Sequence, residues 1–152
     1  MAHFRGLHSY ITSLTHLVGW LIILYFVLFG IVRVGVGAAL FLQSQTLIDL
    51  VPLQDALLET QSFINARLNE QLVVFTLPIY FLYIFLMGGI LLTGAYGVIK
   101  RKPFGFYCLF LYLTMHAGLF LNFQEINPKL TGLAVAAAAW VVLYVVRKPV
   151  KG

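Results

Sequence analysis

The chain has 152 residues, 61% of them apolar or aromatic and only 10% charged, with a mean hydropathy of +0.94. A soluble domain of this size needs roughly a quarter of its residues charged to coat itself with polar surface, so the composition is that of an integral membrane protein. Ten Lys and Arg against five Asp and Glu leave +5, but the cations sit at the ends of apolar segments, which excludes a nucleic-acid surface; the single Cys108 excludes a disulfide framework, a CxxC pair and a multi-cysteine metal site.

A hydrocarbon core of about 30 Å takes roughly 20 helical residues. Four apolar runs have that order of length: about Leu14 to Leu42, Leu72 to Ile99, Phe104 to Phe123 and Leu130 to Val146. The expected fold is therefore an all-α, single-domain bundle of four transmembrane helices. The first run exceeds the roughly 7–15 residues of a signal-peptide core and no small-residue cleavage site follows it, so it is expected to remain as a helix. Ala2 and the absence of a C-terminal cysteine box leave no lipidation motif.

The first span carries Arg33 in FGIVRVGVGAAL, roughly ten residues or about 15 Å from the end of its run. An ionisable group at that depth is a functional candidate by default. Three accounts are open. A long tilted helix lets Arg33 snorkel to the headgroups; the span ends near Val32 and a glycine-rich re-entrant segment follows; or Arg33 faces a cavity and meets Glu125, Glu70 or an anionic substrate group. Gly35 and Ala39 in the same span form a small-residue face.

Gln43, Ser44 and Gln45 end this span, and residues 51–70 follow as VPLQDALLETQSFINARLNE. Leu53, Leu57, Leu58, Ile64 and Leu68 recur at helical spacing, which predicts an amphipathic helix entered after Pro52. It is expected to lie on the outer membrane surface or to cap the bundle. Its acidic face favours a cationic partner over anionic lipid.

The second span has Gly89, Thr93 and Gly97 at successive i+4 positions, and the fourth has Gly132 and Ala136. Without a hydrophobic force between helices in lipid, such small residues bring backbones together, mostly inside a bundle. Three spans with such faces leave a surplus for another subunit or a second copy. Lys100, Arg101, Lys102 and Pro103 break the second span from the third, and Pro128 suits the start of the fourth. Tyr10, Trp20, Phe104, Phe106, Tyr107 and Tyr144 fall where an interfacial aromatic belt belongs.

His116 lies in the third span, one turn from Tyr112 and from Phe120. Haem would need a second axial histidine at matching depth, and His16, at the start of the first span, is too shallow. A quinone, which accepts hydrogen bonds from His, Tyr and Arg at its carbonyls, fits this set better. Paired intramembrane carboxylates, HExxH, GxSxG and phosphate loops are all missing from the sequence.

Arg5, Lys100, Arg101, Lys102, Arg147, Lys148 and Lys151 share one side of a four-span topology, and Asp49, Asp55, Glu59, Glu70 and Glu125 the other, with Arg67 and Lys129. By the positive-inside rule both termini are cytoplasmic, in the inner membrane. The expected function is a non-catalytic accessory subunit of a larger membrane complex. An oligomeric transporter or channel with Arg33 and His116 on its path is the second expectation, and a haem- or quinone-binding anchor of a redox complex the third.

Overall fold

The computed structural model describes residues 2–124 and 129–150, and the side chains of 14–124 and 130–150. Glu125 and Pro128 lie outside the described residues, as does the side chain of Tyr10. Five helices follow one another: α1 (Ala2–Ser44), α2 (Val51–Ala66), α3 (Leu77–Ile99), α4 (Pro103–Phe123) and α5 (Lys129–Val146). No strand occurs among the described residues. Three helical stretches are long and apolar enough to cross a membrane: Leu14–Ser44, Leu77–Ile99 and Pro103–Phe123. Leu130–Val146 is apolar but shorter.

α1 runs unbroken for 43 residues. Its apolar part, Leu14–Ser44, has 31 residues, about 46 Å of helix against a core of about 30 Å. It ends where Thr46 turns to positive φ and the Leu47 N–H reaches back to the Leu42 carbonyl. A re-entrant segment after Val32 is thereby corrected, because helical hydrogen bonding continues through Gly35 and Gly37.

α2 is shorter than the expected 51–70. It starts with Pro52 in its first turn and stops at Ala66. It buries Ile64, with Leu53, Leu57 and Phe63 half-buried, while Leu58 and Leu68 stay exposed. Phe63 packs on Phe123, which places α2 across the bundle end where α1 and α4 finish and α3 begins.

The second span also starts later than expected, at Leu77 rather than Leu72. Residues 67–76 are held open by side chains that compete for the backbone. Asn122 Oδ1 accepts from the Val73 N–H at 2.7 Å, and Gln71 Oε1 from the Phe75 N–H at 2.7 Å. Pro78 then occupies the first turn of α3, where its missing N–H costs nothing.

α3 is the centre of the bundle, against α1 on one side and α4 on the other, with α5 between α4 and α1. Glycines set both close approaches. A Cβ on Gly37 would lie 2.6 Å from the Phe85 N, one on Gly88 2.7 Å from the Val34 N, and one on Gly97 2.5 Å from the Gly105 Cα. The small-residue faces divide within the chain: Gly97 and Ala136 are buried, whereas Cβ atoms at Gly35, Gly89 and Gly132 would meet nothing within 4 Å, and Thr93 is exposed. Each glycine-rich helix offers several narrow faces, and α1 and α3 use the ones through Gly30, Gly37 and Gly88. The core between the four long helices holds Ile23 and Phe26, Met87 and Leu91, Leu109 and Tyr112, and Leu143. Outside it, large apolar residues remain exposed on every long helix, among them Leu21, Leu28, Leu86, Phe110 and Val145, as a lipid-facing surface requires.

Candidate functional site

α1 carries Tyr25, Phe29 and Arg33 at one-turn intervals, a stripe that follows from 3.6 residues per turn. Arg33 turns inward from it. Nη2 lies 3.5 Å from His116 Nε2 on α4 and Nη1 3.8 Å from the Met87 sulfur on α3. Its carbon Cζ lies 4.9 Å from the Phe29 ring centroid and 5.5 Å from that of Tyr112. Snorkelling is thus corrected: the guanidinium is wedged between three helices, not extended along one toward the headgroups.

Guanidinium nitrogens only donate, so His116 Nε2 is the acceptor and the imidazole proton belongs on Nδ1. Nδ1 faces the Tyr112 hydroxyl at 3.4 Å, and the His116 ring stacks on Phe120 at 5.5 Å. The chain from Arg33 through His116 to Tyr112 therefore runs in one donor direction and leaves the Tyr112 O–H to donate. Arg33 Nε is buried and has no partner. Among the described residues no carboxylate meets Arg33; Glu70 lies in the turn after α2, its carbonyl accepting from Gln124 Nε2.

Tyr25, Phe29, Arg33, His116 and Gly132 line a cavity of about 250 Å3 between α1, α4 and α5. Gly132 contributes by having no side chain there. The walls are largely aromatic, Arg33 is the charged donor, and no acid faces in from the described residues. Such a site fits a ligand that brings its own acceptor, either a carbonyl or an anion.

The structure brings Arg33, His116 and Tyr112 together and leaves His16 apart. His16 is exposed on α1, 17 residues before Arg33, or about 25 Å away. No group of three or more His, Cys, Asp or Glu suited to a metal occurs among the described residues. Sequence reasoning missed Phe29, Met87 and Asn122. The i, i+4 spacing of Phe29 and Arg33 was a usable signal; Met87 and Asn122 carried none.

The opposite end of the bundle is basic. Arg147 is 5% exposed and lies under the Trp20 ring at 4.2 Å, and burial together with the Arg101 charge lowers its pKa from the usual guanidinium value. Arg101 adopts positive φ between α3 and α4, and its carbonyl accepts from the Val150 N–H at 3.1 Å, tying the C-terminal segment to that turn.

No protein-family model, curated protein or solved structure matches this chain.

Proposed function

We propose that the chain is a non-catalytic, multi-pass subunit of a cytoplasmic-membrane assembly whose Arg33 pocket binds a quinone-type carbonyl compound from within the bilayer. One observation carries the ligand: Arg33 is held in the interior with Nε buried and unpartnered, on a cavity that has room beside it. A desolvated guanidinium costs several kcal/mol unless its donors are met. A carbonyl oxygen against Arg33, with a ring among Tyr25 and Phe29, meets that need. A single imidazole beside a guanidinium supports this ligand over a bis-histidine haem.

α5 serves as the fourth span in this reading. It packs beside α4 and α1 and ends at Arg147 and Lys148, matching the basic end of α3. The basic end is then cytoplasmic and α2 external. Support for a protein partner comes from Gly35 and Gly89. Val34 packs on Gly88 between antiparallel helices, so one further residue on each turns toward the same side of the pair by about 100°. Both glycines thus share a face that admits another helix closely.

Purification in mild detergent tests both parts. A co-purifying membrane protein and an extractable quinone, the latter lost in Arg33→Met, are expected. A bare monomer overturns the subunit role, and a quinone content unaffected by Arg33→Met overturns the pocket. A second reading is an oligomeric transporter, favoured by Arg33 and His116 facing one cavity. It requires that Arg33→Ala abolish flux in liposomes with folding intact.

A further inference from the structure

A second, larger cavity of about 430 Å3 opens between α4 and α5 at the basic end, lined by Pro103, Phe106, Phe110, Trp140, Tyr144 and Pro149, with Tyr107 at its edge. Its size falls within the about 300–1,000 Å3 of small-molecule sites. The wall is preformed. Phe106 meets Tyr144 edge-on at 5.5 Å, Trp140 stacks on Tyr144 at 6.1 Å and tilts against Phe110 at 5.7 Å. The Trp140 indole donates to the Phe106 carbonyl at 3.1 Å, which spends its polar atom and leaves the hydroxyls of Tyr107 and Tyr144 as the polar side-chain groups of a largely apolar wall.

The rim has the opposite character. Lys102 and Lys148 are exposed and are the chain neighbours of the lining residues Pro103 and Pro149, so their Cα atoms stand about 3.8 Å from those of the wall. The tie from Val150 to Arg101 holds both lysines at one mouth. Lys100, Arg101 and Arg147 lie at the same end, while Asp49, Asp55, Glu59 and Glu70 lie at the other. A largely apolar trough whose mouth carries only cations among the described residues complements an amphiphile whose head is anionic.

We propose that this groove is a binding site for an anionic phospholipid, with an acyl chain along Phe106, Phe110 and Trp140 and the headgroup phosphate between Lys102 and Lys148. The site is separate from the Arg33 pocket. A zwitterionic lipid offers the same chain and phosphate but adds a cation that five basic residues repel. The charge of the headgroup therefore sets the preference.

The full chain with Trp20→Phe carries Trp140 as its sole tryptophan, and brominated lipids quench it on contact. In phosphatidylcholine vesicles containing equal small fractions of brominated phosphatidylglycerol or brominated phosphatidylcholine, the anionic lipid is expected to bind more tightly, by about fivefold for each lysine. Lys102→Gln with Lys148→Gln should lower the preference by about fivefold for each lysine removed, at unchanged helical circular dichroism. Added salt should weaken it in the chain with both lysines. Equal quenching by the two lipids overturns the proposal, as does a preference that the double substitution or high salt leaves undiminished. A Trp140→Phe chain reports from Trp20 on the same end; an equal anionic preference there would mean a general basic annulus and no groove site.

Discussion

Gly97 on α3 and Gly105 on α4 face each other so closely that a Cβ on Gly97 would lie 2.5 Å from the Gly105 Cα, and one on Gly105 would strike the Val98 N. Backbone meets backbone here, so neither side has a flexible chain end that can yield. Gly97→Ala or Gly105→Ala should destabilise the bundle by about 1–3 kcal/mol. Gly89→Ala, in open space on the same helix, should be neutral or slightly stabilising, since alanine is the better helix former. Thermal unfolding of the three variants in one detergent checks the ranking; an unaffected Gly105→Ala would refute the close approach.

Arg33 should contribute little to stability despite its many neighbours. Its contacts to Met87, His116 and two ring faces compete with the desolvation of a charge that no described carboxylate balances. Arg33→Met, of similar length and no charge, should unfold within about 1 kcal/mol of the unaltered protein or above it. A drop of several degrees in the unfolding midpoint would show that the guanidinium is a net structural tie.

Asn122 fixes the segment between α2 and α3 from across the bundle. Its side-chain oxygen holds the Val73 N–H and its carbonyl the Leu72 N–H, at 2.7 and 3.3 Å. Asn122→Ala should raise amide exchange at Val73 well above that at Phe75, whose N–H is held by Gln71. Equal exchange at Val73 in both proteins would assign the order of this segment to something else.

Trp20 and Arg147 pair at 4.2 Å beside Gly19, whose missing side chain leaves room for the Arg147 stem. A double-mutant cycle with Trp20→Leu and Arg147→Met should give a coupling of about 0.5–2 kcal/mol. Strict additivity would leave the ring contact without energetic weight.

Helix positions were legible because apolar runs of membrane length tolerate few other conformations, and the breaks at Ser44 and at Lys100 to Pro103 coincide with helix ends. The start of α3 was not legible. Residues 72–75 are as apolar as a helix, and the side-chain acceptors of Asn122, distant in sequence, and of Gln71 keep them out of one. Arg33 and His116 stood out singly as charges in apolar runs, yet their meeting depends on how α1 and α4 rotate, which glycines on α3 decide. Gly88 and Gly97 were chosen by packing over their neighbour Gly89, and no spacing rule separates them.

The interlocked glycines also have a mechanical consequence. α1 cannot slide on α3 without driving Phe85 into Gly37, and α4 cannot roll on α3 without collision at Gly105. These three helices behave as one stiff frame, which fixes the separation of Arg33 from His116. α5 has no such latch: Gly132, its contribution to the cavity wall, touches nothing within 4 Å of where a Cβ would sit. The Gly132 end of α5 is therefore the part of the cavity wall with room to shift, while its basic end stays fastened through Trp140 and Val150, a stave held at one end against a rigid cask.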